Sequence, residues 1–349
     1  MKTALIAIAL AVVALASPPA HAQPSVAVSE AETSRLWFVE LSGAPVADGG
    51  SLASVRNEKA AFRRAAAAAG LRYSERRSFD TLFNGFSVEI DPADSMRLAQ
   101  LAGVKAIYPV ELLRIPAPER VAGHALDLAA ALALTGADVA QDALGLTGRG
   151  IKVGIIDTGI DIDHPAFGGS GVNGTTPFPT ARIVAGYDFV GDAYDAGSNP
   201  DPVPDDNPDD CNGHGTHVAG IVGANGAGIK GVAPEVTFGA YRVFGCNGTT
   251  SADIMIAAME RAYADGMQVV NQSIGAGRQW PQYPTAQAAT RMVNKGIVMV
   301  ASIGNNGPGG SAPDGLFAAG APGVGSKVIG VASYDNGQRA FTVAGAPYG

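Results

Sequence analysis

Apolar and polar positions along the chain follow two regimes, with the change near residue 116. In residues 36 to 113 short apolar runs alternate with one Ala-rich helical stretch and one shorter helical stretch. Leu36 to Leu41 reads as an extended strand, and Val55 to Ala69 as a helix stopped by Gly70. Leu71 to Phe79 and Phe83 to Ile90 read as strands, Ala93 to Ala102 as a helix stopped by Gly103, and Val104 to Val110 as a further strand. The order β-α-β-β-α-β predicts a small α+β domain of ferredoxin-like type. From Ile151 the alternation lengthens. Strands are predicted at Ile151 to Ile156, Val236 to Phe244, Met267 to Ser273, Ile297 to Ser302 and Val328 to Ala332. Helices are predicted at Thr216 to Ala224, Ala252 to Ala264 and Thr285 to Lys295, the second capped by Ser251 with Asp253 in its first turn. Helix and strand at crossover spacing predict an α/β domain with a doubly wound parallel sheet. Between the regimes lie Pro116-Ala117-Pro118 and an Ala-rich helical stretch, so the boundary falls near residue 116.

Composition narrows the partners. At 349 residues and 47% hydrophobic, the chain has enough apolar side chain for a substantial core. A formal charge of -8 with 24 Lys plus Arg gives no basic stripe of the kind that phosphate backbones reward, which argues against nucleic acid. The first residues add a location: Lys2, an apolar run from Ala4 to Ala16 and then Ala20-His21-Ala22 form a secretory signal with a small-x-small cleavage site. That run is too short to span a bilayer, and Asp127 interrupts the richest later candidate, Ala125 to Leu134. The domains expected are thus a signal peptide at 1–22, a small domain at 23–116 and a larger one at 117–349, in a secreted protein with no membrane anchor after signal cleavage.

Export bears on the two cysteines, Cys211 and Cys246. In an oxidising compartment a bond between them would close a loop of about 35 residues and stabilise by roughly 3 to 4 kcal/mol. Pairing with a cysteine outside these residues, or a reduced pair, are the alternatives.

Three polar residues distant in sequence converge on one rim of the predicted sheet. Ligands of open α/β sheets bind at the carboxyl ends of strands. Asp157 ends the first strand of the larger domain, His214 opens a helix in Asn212-Gly213-His214-Gly215-Thr216-His217-Val218-Ala219-Gly220, and Asn305 follows the strand ending at Ser302. A serine hydroxyl becomes a competent nucleophile when an imidazole takes its proton, and the imidazole needs a buried carboxylate to fix its tautomer and stabilise its cation. Asp157 suits the carboxylate and His214 the base, while the Asn305 amide suits a donor to the oxyanion of a tetrahedral intermediate.

The segments Val153 to Ile160, Asn212 to Gly220, Gly231-Val232-Ala233-Pro234, Val269 to Gly275 and Gly304-Asn305-Asn306-Gly307 resemble, in order, the blocks of subtilisin-like serine proteases. Residues 36–113, with Phe83-Asn84-Gly85-Phe86-Ser87-Val88, resemble that family's inhibitory propeptide. The resemblance implies a secreted serine endopeptidase with Asp157, His214 and Asn305 as catalytic residues. An amide donor like Asn305 contributes about 3 to 4 kcal/mol in another family member. It further implies that Ser273, Ile274 and Gly275 bind extended protein or peptide substrates by main-chain pairing. The chain's own propeptide is then an intramolecular inhibitor whose last strand occupies the cleft. The family's nucleophile opens a later helix in a Gly-Thr-Ser block that this sequence lacks; Gly248-Thr249-Thr250-Ser251 lies before the asparagine. The expectation is a fragment whose serine lies beyond residue 349, which alone is inactive and does not mature itself. The alternative is a secreted pseudoprotease that binds peptide without cutting it.

Other residues invite weaker readings. His217 lies three residues after His214, but a zinc protease site needs two histidines at i and i+4 with a glutamate, so no catalytic metal is expected and His217 is structural. His21, His124 and His164 fall in the signal, the linker and the surface. The stretch Asp188 to Asp210 holds eight aspartates, whose oxygens suit structural calcium or simply a solvated loop.

Overall fold

The computed structural model describes residues 34–116, 128–306 and 318–333, with the backbone of two short strands at 341–343 and 346–348. The predicted signal sequence, most of the predicted linker after Pro116 and the segment following Asn306 lie outside the described residues.

The N-terminal part runs β1 (Leu36–Leu41), α1 (Leu52–Ala68), β2 (Tyr73–Phe79), β3 (Gly85–Ile90), α2 (Ser95–Ala99) and β4 (Val104–Pro109). Its strands form one antiparallel sheet in the order β2-β3-β1-β4. The helix start reflects a cap that the apolar period hides: Ser51 accepts a hydrogen bond from Ser54 N at 3.0 Å, so α1 begins at Leu52. The second helix is shorter than its period suggests, because Asp91 and Pro92 open a tight 3-10 turn ahead of it. Both faces of this sheet are covered. Trp37, Val39, Phe86 and Val88 pack with Phe62 and Ala66 of α1. Phe38, Phe79 and Phe83 lie on the other side and join a separate apolar cluster.

A short strand, β5 (Leu112–Arg114), leads away from the small sheet. Two Ala-rich helices follow, α3 (Leu128–Thr135) and α4 (Ala137–Asp142), then β6 (Lys152–Asp157) and β7 (Ile183–Asp188). Next come α5 (His214–Gly223), β8 (Thr237–Arg242), β9 (Thr249–Ser251), α6 (Ala252–Ala264), β10 (Val269–Gln272), α7 (Pro284–Asn294), β11 (Val298–Ser302) and β12 (Ile329–Val331). Six of these strands form a parallel sheet in the order β12-β11-β10-β6-β8-β7. Helices cover both faces, as a parallel sheet requires. Val218 and Ala219 of α5 pack on Val153, Ile155, Phe238 and Ala240. On the opposite face Met255, Met259, Ala286 and Met292 of α6 and α7 pack on Ile156, Tyr241 and Val270.

That second core does not stop at the helices. Phe38, Phe79, Leu82, Phe83 and Leu113 from the N-terminal part belong to the same apolar cluster. Phe38 sits edge-on to Tyr283 with ring centroids 6.1 Å apart. Each such side chain taken from water stabilises by about 1.5 to 3 kcal/mol, so the small sheet is held against α6 and α7 mainly by apolar burial. Polar groups then fix its register: Glu260 accepts from Thr81 N and Leu82 N at 2.9 and 2.7 Å. Arg76 and Ser87 reach the buried Asp253 at 3.3 and 2.7 Å. Ser251 occupies the N-cap position of α6, but its hydroxyl makes no cap bond and instead hydrogen-bonds the Asp253 carboxylate. The capping expectation is corrected accordingly. Among the described residues no helix is long and apolar enough to cross a membrane.

Candidate active site

Asp157 is the last residue of β6, fully buried, and its position follows from the run of apolar residues that drives β6 into the sheet centre. Thr158 N donates to Asp157 Oδ1 at 2.8 Å, and Gly215 N donates to Thr158 Oγ1 at 2.8 Å. The start of α5 is thereby docked on the turn that follows the carboxylate. This docking needs glycine: a Cβ on Gly215 would lie 2.2 Å from Gly159 O, and Gly159 itself has φ of +112°.

His214 is the first residue of α5, and Gly213 with φ of +101° turns the chain into the helix. His214 Nδ1 lies 2.6 Å from Asp157 Oδ1. Asp210 organises the approach. Its Oδ1 accepts from Asn212 N and Gly213 N at 2.8 and 3.0 Å, and its Oδ2 accepts from Thr216 N and Thr216 Oγ1 at 3.0 and 2.6 Å. Thr216 Oγ1 in turn accepts from Asp161 N at 2.9 Å, binding the loop after β6 to the same helix.

The electrostatics suit a charge-balanced base. Burial pulls the His214 imidazolium down, but the hydrogen bond and charge of Asp157, with the charge of Asp210, reverse that and leave it above its ordinary value. Full burial pushes the Asp157 carboxyl up, opposed by the hydrogen bond and charge of His214 and by Thr158 N. Asp157 Oδ2 has no hydrogen-bond partner among the described residues, so the carboxylate is directed at the imidazole through one oxygen.

The remaining candidates follow the carboxyl ends of the neighbouring strands β10 and β11. The β6–β10 register joins Ile155 to Asn271, which sets Ser273 at the level of Asp157 one strand away. Asn271 Nδ2 donates to Ser273 Oγ at 3.0 Å, and Ile274 is buried. Beyond Gly275, Ala276 pairs antiparallel with Ala321 through bonds of 2.9 and 2.8 Å. Asn305 is exposed, three residues past β11, and no hydrogen bond joins it to His214 or Asp157. The neighbouring amide of Asn306 lies against Gly277, where a Cβ would come within 2.0 Å of Nδ2. The loop of Asn305 and the segment after Gly275 are therefore in contact through Asn306.

The edge of β9 is occupied. β5 pairs with it antiparallel, Leu113 opposite Thr250, and Ala252 N donates to Glu111 O at 2.9 Å. Tyr283 clamps the turn into β5, its hydroxyl donating to Pro109 O and accepting from Glu111 N, both at 3.0 Å. Among the described residues β5 pairs with β9 and not with Ser273 to Gly275.

Cys211 and Cys246 are bonded to each other with Cα atoms 5.1 Å apart. The aspartates of the acidic stretch are dispersed into local roles: Asp188 to Arg242, Asp195 to Thr249 and Ser198, and Asp210 to α5. Hydrogen bonds from Thr249, Ser198 and Gly197 hold the Asp195 carboxyl far below the usual range. Among the described residues the one group of three metal-ligating side chains is Asp192, Cys211 and Cys246, and its sulfurs are spent on each other. The donor set does not fit calcium. Sequence reasoning missed two residues here, Asp210 and Arg242. For Asp210 a signal exists, an aspartate four residues ahead of a glycine-flanked helix start; for Arg242, in an apolar strand, the charge itself is the signal.

Comparison with known proteins follows this geometry. The subtilase family model matches residues 148–346. Minor extracellular protease Vpr of Bacillus subtilis is 36% identical over 263 residues, 73% of this chain and 30% of that protein. Subtilisin DY of Bacillus licheniformis is 36% identical over 174 residues, 48% of this chain and 52% of the relative. Subtilisin Savinase of Lederbergia lenta is 30% identical over 204 residues, 58% of this chain and 63% of the relative. The chain thus spans less than two thirds of each of these relatives. With the matching model covering more than half of the sequence and the parallel sheet beneath it, the chain belongs to the subtilase family.

Proposed function

We propose that the chain carries the base and the orienting carboxylate of a secreted serine endopeptidase. The observation that carries this reading is the 2.6 Å contact of His214 Nδ1 with the fully buried Asp157. Contact through Nδ1 leaves Nε2 for a serine hydroxyl, which this reading draws from sequence C-terminal to residue 349. His214 takes the hydroxyl proton as the serine attacks a peptide carbonyl, and Asp157 stabilises the resulting imidazolium. The Asn305 amide donates to the oxyanion, His214 returns the proton to the leaving amine, and water then hydrolyses the acyl-enzyme by the same route. Substrate lies extended along Ser273 to Gly275.

In this reading residues 23–116 are an inhibitory propeptide. Support comes from β5, which covers the edge of β9, and from the apolar core that continues from Phe38, Phe79 and Phe83 into α6 and α7. Secretion is supported by the signal-like N-terminus and by the likeness to a relative named as an extracellular protease.

The test is fluorophosphonate labelling of protein expressed from the whole coding region. Labelling abolished by His214→Ala is the expected result. Peptide binding without labelling would replace the endopeptidase with a pseudoprotease.

A further inference from the structure

The two halves of the His–Asp pair are tied together outside their own contact. β8 runs beside β6 with Arg242 in register with Asp157, and Val243 N donates to Asp157 O at 2.9 Å. From that point the Arg242 side chain, 3% exposed, turns toward the loop that delivers His214. Its Nη2 lies 2.9 Å from Cys211 Sγ, its Nη1 donates to Asp209 O at 3.0 Å, and its Nε donates to Phe244 O at 3.0 Å. Asp188 and Asp192, at 3.3 and 2.8 Å, balance the guanidinium charge. The disulfide returns from Cys211 to Cys246, four residues past Arg242. Asn212 closes the circuit: its Nδ2 donates to Cys246 O at 3.0 Å, and its Oδ1 accepts from His214 N at 3.2 Å.

A disulfide placed only for general stability need not be linked to the backbone of the catalytic base. This one is linked through a single asparagine, and its other end leaves the strand paired with Asp157. We propose that the Cys211–Cys246 disulfide and Arg242 are positioning elements that hold His214 against Asp157, so that reduction of this bond loosens the pair. The proposal rests on the reading of His214 as the base partnered by Asp157.

Cys211 is exposed and Cys246 half-buried, so a small dithiol has access. One thiolate of the dithiol attacks a cystine sulfur, the S–S bond breaks, and its electron pair leaves on the other sulfur. The second thiolate then displaces the mixed disulfide. Two electrons pass to the protein, the two cysteine sulfurs take up two protons, and the reductant leaves as a cyclic disulfide. Arg242 beside Cys211 favours the thiolate of that residue during the exchange.

The experiment is a histidine NMR titration of the full 349-residue chain, oxidised and after reduction with dithiothreitol, with Arg242→Lys and Arg242→Met alongside. The charges facing His214 are Asp157 and Asp210. In the oxidised protein His214 titrates above the ordinary imidazole range; on reduction its proton affinity falls by about threefold or more. Reoxidation restores the His214 curve, and the amide resonances of β6 and β8 stay in place throughout. Arg242→Met reproduces the fall, and Arg242→Lys, which keeps the charge, reproduces it less. Identical His214 curves in the two redox states overturn the proposal. So does loss of the dispersed amide resonances of β6 and β8 on reduction, which assigns the bond to global stability alone. Failure of fluorophosphonate labelling would refute the endopeptidase reading while leaving this titration result intact.

Discussion

Arg76, on the second strand of the small sheet, and Asp253, in the first turn of α6, meet at 3.3 Å with the carboxylate fully buried. The pair joins the two parts of the chain across their shared core. Burial alone would raise the Asp253 carboxyl, but the charges of Arg76 and Arg77 and the hydroxyls of Ser251 and Ser87 hold it below its ordinary value. A depressed carboxylate stabilises the fold fully above the ordinary Asp range and loses that contribution as pH falls through its folded value. Arg76→Met leaves the buried carboxylate with the Ser251 and Ser87 hydroxyls, Ile254 N and the charge of Arg77, at a cost of about 3 to 5 kcal/mol by the behaviour of broken buried pairs. Urea unfolding at neutral pH measures it. A loss below about 1 kcal/mol would put the pair in the class of surface ion pairs and refute its structural role.

Glu260 makes a different kind of join, since one carboxylate oxygen accepts two backbone amides, Thr81 N and Leu82 N. Desolvation by burial raises the Glu260 carboxyl, an effect those two amides oppose. Glu260→Ala removes the acceptor from both, each worth about 1 to 3 kcal/mol when left unpaired and buried. Hydrogen exchange is the direct readout. Thr81 and Leu82 amides are expected to exchange at least about tenfold faster, with amides of β6 and β8 unchanged. Equal protection in the variant would mean that water or a neighbouring group replaces the carboxylate.

These joins also mark where sequence reading ran out. The small sheet was legible because its strands are short and rich in apolar and aromatic residues and Gly70 follows its first helix; Gly103 did not mark the end of the second, which stops at Ala99. Much of the parallel sheet was legible because its strands are short and apolar. Ile183–Asp188 was not: it lies at the sheet edge, contains Gly186, and among the described residues has β8 as its one strand partner besides a bridge from Asp188 to Asp205, so neither propensity nor period distinguishes it from loop. β5 and β9 are three residues each and exist through pairing between residues more than a hundred apart, which no local pattern encodes. At the candidate site, motifs single out Asp157 and His214, and Thr158 comes with the same motif as Asp157, yet Asp210 reaches α5 only through the folding of its loop and Arg242 comes beside Asp157 only by strand pairing.

Gly215 tests how tightly α5 must sit on the turn after β6. A Cβ there would lie 2.2 Å from Gly159 O and 3.1 Å from Asp157 Cβ, and both neighbours are fixed by the sheet. Gly215→Ala should destabilise by about 1 to 3 kcal/mol through overpacking and push His214 away from Asp157. Thermal unfolding gives the first effect, and a His214 titration moving toward the ordinary imidazole range gives the second. A variant of unchanged stability with an unchanged His214 curve would show that α5 shifts freely, against the docking described.

Asp157→Asn asks which force sets the proton affinity of His214. Burial lowers it, while the hydrogen bond and charge of Asp157, with the charge of Asp210, raise it to a net increase. Replacing the carboxylate by an amide keeps the volume and the burial but removes the larger counter-charge, leaving Asp210 to oppose desolvation alone. The His214 midpoint should therefore pass from above the ordinary value of about 6.5 to below it. The linkage changes sign with it. In the native protein the imidazolium stabilises the fold below about pH 6.5, and that contribution is lost as pH rises through the raised folded value. In the variant the neutral ring is preferred, so the contribution is present above about pH 6.5 and lost as pH falls through the lowered folded value. Histidine NMR gives the midpoint, and unfolding free energies at about pH 5.5 and 8.5 give the sign. A midpoint that stays raised in Asp157→Asn would transfer the control of His214 to Asp210 and count against the proposed role of Asp157 as the orienting carboxylate.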